Sequence, residues 1–415
     1  MRVLHLSKYD SRGGAAIAAL NSVTSQRAAG IDARLSVGRK VGDIDFVEGP
    51  GALGRARAAA SFALERLPFR MLGIPSPDVR SIGIGGLDAV QIVRRHDPDL
   101  VVLHGVDGFV PLAVLPKIPC PIVWRMHDMW PVLGTRHYAA DNAPMTGVAG
   151  ALDRWTFERK RRAYTAHPKL IFCPPSQWLG SVARSSPLTK GRNCPVIPNG
   201  IDTKLFNAGD KKAARAEFGL DPDAPVIAFG AIGGTDDPRK GADLLLGALR
   251  AGRSFFQSRG VEFLFFGGRA PAEIGGLKLV SAGPIELRER MAMVYRSADL
   301  VIVPSRMENL SLTVLEAMAC AAPVVAFDIG GMPDMIEPGV NGWLAPEATS
   351  DALLHTIVGA LEQVSNDAGI ARAARRTIDA RFSLEKEAAA MIELYESLLV
   401  DLTSHRRPVS TRAPS

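Results

Sequence analysis

Short, continuously apolar runs alternate along this chain with longer stretches of helical period. The runs are Arg2–Leu6, Leu100–Leu103, Ile122–Met126, Leu170–Cys173 and Val196–Pro198, then Val226–Phe229, Glu262–Phe266, Leu300–Val303 and Pro323–Phe327. Strands without polar alternation are buried on both faces, as in a parallel sheet covered by helices. The pattern occurs twice, so it predicts an α/β protein of two doubly wound, Rossmann-like domains. Pro198-Asn199-Gly200 is a turn signal, and Asp202 to Asp223 carries charge and little strand character, which sets a boundary near residue 200. The expected domains are 1–200 and 201–383. Residues 384–402 read as an amphipathic helix with Ala388, Met391, Ile392, Tyr395 and Leu398 on one face, packing back on the first domain. Residues 403–415 read as a disordered basic tail.

Charge changes this picture. The chain of 415 residues has a formal net charge of +6, but residues 1–205 hold 27 Lys and Arg against 16 Asp and Glu, and the remainder holds 22 against 27. A basic first half suits an acidic acceptor or an anionic lipid surface as well as a plain solvated exterior. Within it, Leu152–His167 carries Arg159, Lys160, Arg161 and Arg162 among Trp155, Phe157 and Tyr164. That is either a basic amphipathic helix for a membrane or an ordinary helix covering the sheet. The basic residues are dispersed and no recognition motif accompanies them, which argues against nucleic acid. Cys120, Cys173, Cys194 and Cys320 form no Cys-x-x-Cys pair, which argues against a zinc site or disulfide framework and suits the cytoplasm. Met1–Ser7 is too short for a secretory signal, and no apolar run is long enough to span a bilayer.

The densest chemistry lies in Leu300–Ala322, which reads as strand, sharp loop and helix with Glu308 in the loop and Glu316 in the helix. Ser311 is a plausible N-cap, so free N–H groups lie around Asn309, Leu310, Ser311 and Leu312, where the helix dipole favours a phosphate or sugar hydroxyl. Helical side chains lean toward the N-terminus, so Glu316 reaches back to the same mouth, where a carboxylate can accept from two vicinal hydroxyls. Taken alone, two spaced glutamates are usually solvated surface. Asp237-Pro238-Arg239-Lys240-Gly241 follows a strand and the glycines Gly233 and Gly234. Its planar Arg fork and Lys point charge suit a diphosphate, although an isolated Arg-Lys-Gly is mostly a solvated turn. Gly13-Gly14 after the first strand lets backbone approach a ligand, or simply makes a tight turn. His127-Asp128 and His104 stand at strand ends, where a histidine faces the cleft of such a fold, though a lone histidine is more often structural.

Glu308 to Val325, E-N-L-S-L-T-V-L-E-A-M-A-C-A-A-P-V-V, resembles the E-x7-E signature of family-4 retaining glycosyltransferases with the GT-B fold. Asp328-Ile329-Gly330-Gly331-Met332-Pro333-Asp334 resembles the G-G-x-P-E segment that follows it, with Asp334 for the common Glu and Ala321 where the family usually has Gly. Arg125 to Pro131 contains H-D-M-W-P, which is similar to a subgroup that builds bacterial exopolysaccharides, and Asn199-Gly200-Ile201-Asp202 with Phe206 resembles the connector between domains. The resemblance implies a nucleoside-diphosphate sugar, UDP- or GDP-linked, as donor substrate, and no separate cofactor. Glu308 would contact the sugar and Glu316 the ribose, Lys240 and Arg239 the diphosphate, and His127 the sugar from across the cleft. Asn309 to Leu312, Gly233, Gly234 and Gly14 would line the donor, with the base near residues 283–290. Asp128 would orient His127 or, with Gly13 and His104, serve the acceptor side. That acceptor would be a saccharide or lipid-linked saccharide. The charge asymmetry by itself, with a lipid-linked acceptor, would fit a cytoplasmic protein attached peripherally to the inner face of the cytoplasmic membrane.

Two other readings compete. A GT-B epimerase needs no acceptor and a phosphorylase consumes orthophosphate, so product analysis separates both from a transferase. A sugar-nucleotide-binding scaffold would bind donor without releasing nucleoside diphosphate. Asp236-Asp237 resembles a metal pair only superficially beside Arg239 and Lys240, whose charge already serves a leaving diphosphate. Activity is therefore expected to persist in a chelator; turnover that vanishes with chelation and returns with magnesium or manganese would overturn this.

Overall fold

The computed structural model describes residues 1–74, 80–139, 145–230, 237–268 and 273–404. The first lobe holds strands β1 (Arg2–Tyr9), β2 (Asp32–Arg39), β3 (Val47–Glu48), β4 (Leu100–Leu103), β5 (Ile122–Arg125) and β6 (Leu170–Cys173), in the order β3-β2-β1-β4-β5-β6. The second holds β7 (Val226–Gly230), β8 (Glu262–Phe266), β9 (Lys278–Gly283), β10 (Leu300–Val303), β11 (Val324–Phe327) and β12 (Gly342–Ala345), in the order β12-β11-β10-β7-β8-β9. Every pairing is parallel, and the two lobes share one winding. In such sheets ligands bind beyond the carboxyl ends, where the strand order reverses. Those points lie after β1 and β4 and after β7 and β10.

β4, β5, β10 and β11 are buried throughout, which is why their sequences read as unbroken apolar runs. Four strands escape such a reading. β3, β9 and β12 lie at sheet edges, and β2 beside the edge strand alternates Asp32 and Arg34 with buried residues. Val196–Pro198, expected as a strand, is not one: it is the connector between lobes, with Ile197 donating its N–H to the Pro174 carbonyl.

Each sheet is covered on both faces by apolar clusters. One of the first lobe's clusters includes Met391 and Tyr395, from the helix Leu384–Ser404 that packs on helix Gly14–Ala28. That helix runs two residues into the segment read as tail; residues 405–415 lie outside the described residues. At the junction sits Arg125, almost wholly buried. It donates to the Ile197 carbonyl at 2.6 Å and Asn199 Oδ1 at 2.8 Å, and pairs with Glu387 Oε1 at 3.3 Å. Glu387 Oε2 accepts from the Gly200 N–H at 2.7 Å.

The basic helix, here Gly147–Thr165, is not a free cationic face. Lys160 is buried and donates to the carbonyls of Trp130, Leu133 and Gly134. Arg159 donates to the Ile82 and Gly83 carbonyls, and Arg161 and Arg162 pair with Glu158. The helix covers the sheet, and burial holds the Lys160 ammonium well below its ordinary value. Among the described residues no helix is long and apolar enough to cross a membrane.

Helix Leu312–Ala319 ends in a Schellman motif. The Ala322 N–H reaches the Ala317 carbonyl and the Ala321 N–H the Met318 carbonyl, which puts Ala321 at φ 59°. An alanine Cβ is strained there where glycine is not. Ala321→Gly is therefore expected to stabilise the protein by about 1 kcal/mol, measured as a shift of the urea unfolding midpoint; an unchanged or lowered midpoint would refute it.

Candidate active site

The carboxyl ends of both sheets face a cleft of about 1110 Å³ lined by residues of both lobes. On the second lobe, β10 ends at Val303 and the chain turns through Pro304–Ser311. Glu308 Oε1 accepts from Lys240 Nζ and from Ser305 Oγ, the latter at 3.1 Å. Two glycines allow this loop its place. Gly241, at φ 66°, lies where a Cβ would fall 1.8 Å from the Pro304 carbonyl oxygen, and Gly330, at φ 53°, where one would fall 2.0 Å from the Glu308 carbonyl oxygen. Arg239 forms a fork with Asp237, at 3.1 and 2.7 Å, and lies over the Tyr138 ring. The N–H groups of Asn309, Leu310, Ser311 and Leu312 find no acceptor among the described residues, and Ser311 at the N-cap makes no side-chain cap. A cation, a carboxylate and a row of open N–H groups thus converge on one wall.

The Asn309 side chain works differently. Its Nδ2 donates to the Met126 carbonyl at 3.2 Å and its Oδ1 accepts from Ser176 Oγ at 2.6 Å, so it ties the lobes together behind the cleft.

Glu316 is buried deeper along the same wall. Burial pushes its carboxyl up to about 7, against the opposing pull of the Arg288 charge and of Tyr295, whose hydroxyl donates to Oε2 at 3.0 Å. Arg288 crosses the cleft to donate to Asn21 Oδ1 at 3.1 Å, and its Nη2 is buried without a partner among the described residues.

On the first lobe, three histidines, one within β1 and two just beyond the ends of β4 and β5, form a hydrogen-bonded row. Gln26 turns its amide nitrogen to Ser22 Oγ and Tyr395 Oη, at 3.0 and 3.2 Å, which leaves its oxygen to accept from His5 Nε2 at 3.0 Å. His5 Nδ1 then accepts from His104 Nε2 at 2.9 Å, and His104 Nδ1 accepts from His127 Nε2 at 2.9 Å. Each neutral ring has one donor and one acceptor, so the row assigns a tautomer to every member and leaves His127 Nδ1 as a bare acceptor toward the cleft. Burial, with the Arg125 charge adding to it, lowers His127 to about 3 and His5 to about 4, while His104 falls well below its ordinary value.

Two expectations are corrected here. His104 does not reach the cleft: it is enclosed between His5 and His127. Asp128 does not orient His127. It lines the cleft, but Oδ1 accepts from the Trp130 N–H and Oδ2 pairs with His137, so it holds the loop while His104 holds the ring. Gly13 and Gly14 line the cleft at the start of helix Gly14–Ala28, with Gly14 near Leu312 across it. Gly233 and Gly234 lie outside the described residues. The wall also includes Tyr138, Arg12, Arg39, Tyr295 and Arg288, none of which the motif pointed to. Only the region 283–290 was a signal for Arg288.

Residues 12–205 match the model of Glycosyltransferase Family 4 and residues 226–363 that of Glycosyl transferases group 1, one on each lobe. The chain belongs to the family 4 glycosyltransferases. Among curated relatives of this family chain, the D-inositol 3-phosphate glycosyltransferase of Segniliparus rotundus is 37% identical over 222 residues, 49% of this chain and 47% of that one. The enzyme of the same name from Mycolicibacterium smegmatis is 33% identical over 232 residues, 52% and 51% of the two chains. The chain thus spans about half the length of the curated relatives it matches. Its fold is that of sucrose-phosphate synthase from Thermosynechococcus elongatus, with TM-score 0.70 and 19% identity, covering 97% of this chain and all of that one. It is also that of Anabaena HepE in complex with UDP and glucose, with TM-score 0.64 and 20% identity over 96% and 100%. The paired sheets are therefore the GT-B fold.

The raised Glu316 carboxyl has a consequence for stability. Its ordinary value of 4.5 applies to the unfolded chain, so the folded state holds more protons between pH 4.5 and about 7. Its favourable contribution is complete below that window and is lost as pH rises through it. Glu316→Gln keeps a neutral acceptor for Tyr295. Between pH 5 and pH 8 the wild type should lose about 2 kcal/mol more than this variant, as read by denaturant unfolding; parallel pH profiles would count against the assignment.

Proposed function

We propose that this chain is a retaining glycosyltransferase that moves a hexose from a nucleoside-diphosphate sugar to an anionic acceptor. The observation carrying the reading is that Lys240, Glu308 and Glu316, from one cationic turn and one E-x7-E segment, line a single cleft with His127 opposite. The donor's ribose hydroxyls are accepted by Glu316, and its diphosphate lies at the open N–H groups beside Lys240 and Arg239. Glu308 and His127 Nδ1 accept from sugar hydroxyls. UDP-glucose bound to the structurally similar HepE supports a UDP-linked hexose.

In this mechanism the bond from the anomeric carbon to the diphosphate oxygen breaks while the acceptor oxygen bonds to the same face. The acceptor proton passes to the departing phosphate, and nucleoside diphosphate leaves. Charge develops on the diphosphate as that bond lengthens, so Lys240 stabilises the transition state more than bound donor. No side chain needs to attack the sugar.

Arg12 and Arg39 line the first-lobe side of the cleft, and neither pairs with an acid among the described residues. They suit a phosphate on the acceptor, and the relatives' name, D-inositol 3-phosphate glycosyltransferase, favours a phosphorylated polyol. The H-D-M-W-P segment favours instead a saccharide carried on a lipid phosphate for exopolysaccharide synthesis. Assays with both acceptors separate the two.

A thermal-shift screen should show UDP- or GDP-sugars raising the melting temperature, since ligand bound only to the folded state stabilises it. Lys240→Ala should lower kcat/KM by about 2–4 kcal/mol, mostly in kcat. Wild-type kinetics in that variant, or no shift with any nucleotide sugar, would refute the proposal.

A further inference from the structure

The inner end of the histidine row carries a direction. Ser22, Gln26, His5, His104 and Tyr395 are all at most 2% exposed, so none of them exchanges its partners for water. Glu387, paired with Arg125, accepts the hydrogen of the Ser22 hydroxyl. An ionised carboxylate only accepts, so Ser22 Oγ has just its lone pairs left for the Gln26 amide. Gln26 Nε2 meets it at 3.0 Å, which turns Gln26 Oε1 toward His5 Nε2. The rings stack with centroids 5.2 Å apart at both steps, and each accepts at Nδ1 from the Nε2–H of the next.

A buried histidine kept only for packing needs its nitrogens satisfied and nothing more. Reversing this row would satisfy both ring–ring bonds equally well. Only the end at Gln26 distinguishes the two directions, and the difference emerges at His127, which lines the cleft.

We propose that Gln26 is a positioning residue for donor specificity. Held by Ser22 and Glu387, it fixes His127 Nδ1 as an acceptor. The cleft therefore selects a sugar that donates a hydroxyl hydrogen there and disfavours one that presents an acceptor-only group, such as a carboxylate, at the same place. Lone pair against lone pair leaves both groups unpaired in a desolvated site, and that cost is the selectivity. The selectivity rests on the proposed transfer, which puts the sugar beside His127; the direction of the row does not.

The first test is the tautomer itself, read from proton–nitrogen correlation spectra of the full chain with isotope-labelled histidine. In wild type His127, identified by the signals lost in His127→Gln, should carry its proton on Nε2. Gln26→Met keeps the side-chain length and removes the acceptor. A buried N–H without a partner is costlier than a bare ring nitrogen, so the row should reverse and move the His127 proton to Nδ1. Selectivity should follow. UDP-glucose analogues fluorinated in turn at each sugar hydroxyl offer an acceptor without a hydrogen. One of them should bind wild type about tenfold or more weaker than UDP-glucose, and that penalty should largely vanish in Gln26→Met. UDP lacks the sugar, so its affinity should be equal in both proteins, which separates a lost direction from a lost fold. A His127 proton on Nδ1 in wild type, an Nε2–H form that persists in Gln26→Met, or a fluorine penalty that is absent from wild type or unchanged in the variant would overturn the proposal. Failure of UDP-glucose to bind would instead sink the proposed transfer, and the spectra would still decide the row.

Discussion

A buried arginine governs the junction of this molecule. Arg125 ends β5 inside the first lobe and spends its donors on the connector carbonyl of Ile197, on Asn199 and on Glu387 of the last helix. A guanidinium taken out of water is tolerable only when its fork is filled, so the strand end, the connector and the C-terminal helix must meet there. Glu387 repeats the constraint by also accepting from the Gly200 N–H. The path between lobes is thereby held at one point, and the cleft opens in front of it.

The same cation acts on the cleft chemically. Its charge adds to burial in keeping His5, His104 and His127 neutral. A neutral row transmits direction: Gln26 and Tyr395 at one end decide which nitrogen is bare at the other. The C-terminal helix thus shapes a cleft residue it never touches. On the facing wall, Lys240 is already paired with Glu308, so both groups are oriented before any ligand arrives. Glu316 is held near the midpoint of its titration by burial, which makes its charge sensitive to what enters beside it.

The fold and much of the cleft were legible in the chain because they depend on local rules. Interior strands must be continuously apolar, so β4, β5, β10 and β11 declared themselves, while β9 and β12 at the edges did not. Glu308, Asn309 and Glu316 stand on one strand-loop-helix unit, so their common placement follows from spacing. Lys240 lies across β7 and β10, which pair directly, and the motif could anticipate it. His104 was misjudged because a strand end says nothing about which neighbour a side chain meets. The basic helix stayed open between a membrane face and a cover for the sheet for the same reason, since Lys160 among three other cations looks identical in sequence whether it faces water or carbonyls.

What the residues alone determined is the alternation of buried strands and helices, the two windings, and the acid-and-cation motif at a strand end, all set by periodicity and short-range stereochemistry. What only the tertiary structure decided is which polar groups become partners: the histidine row, the Arg125 junction and the carbonyls around buried Lys160. Those depend on segments up to several hundred residues apart meeting in a low-dielectric interior. There an unpaired group is costly and a paired one is oriented, and spacing along the chain does not encode such meetings.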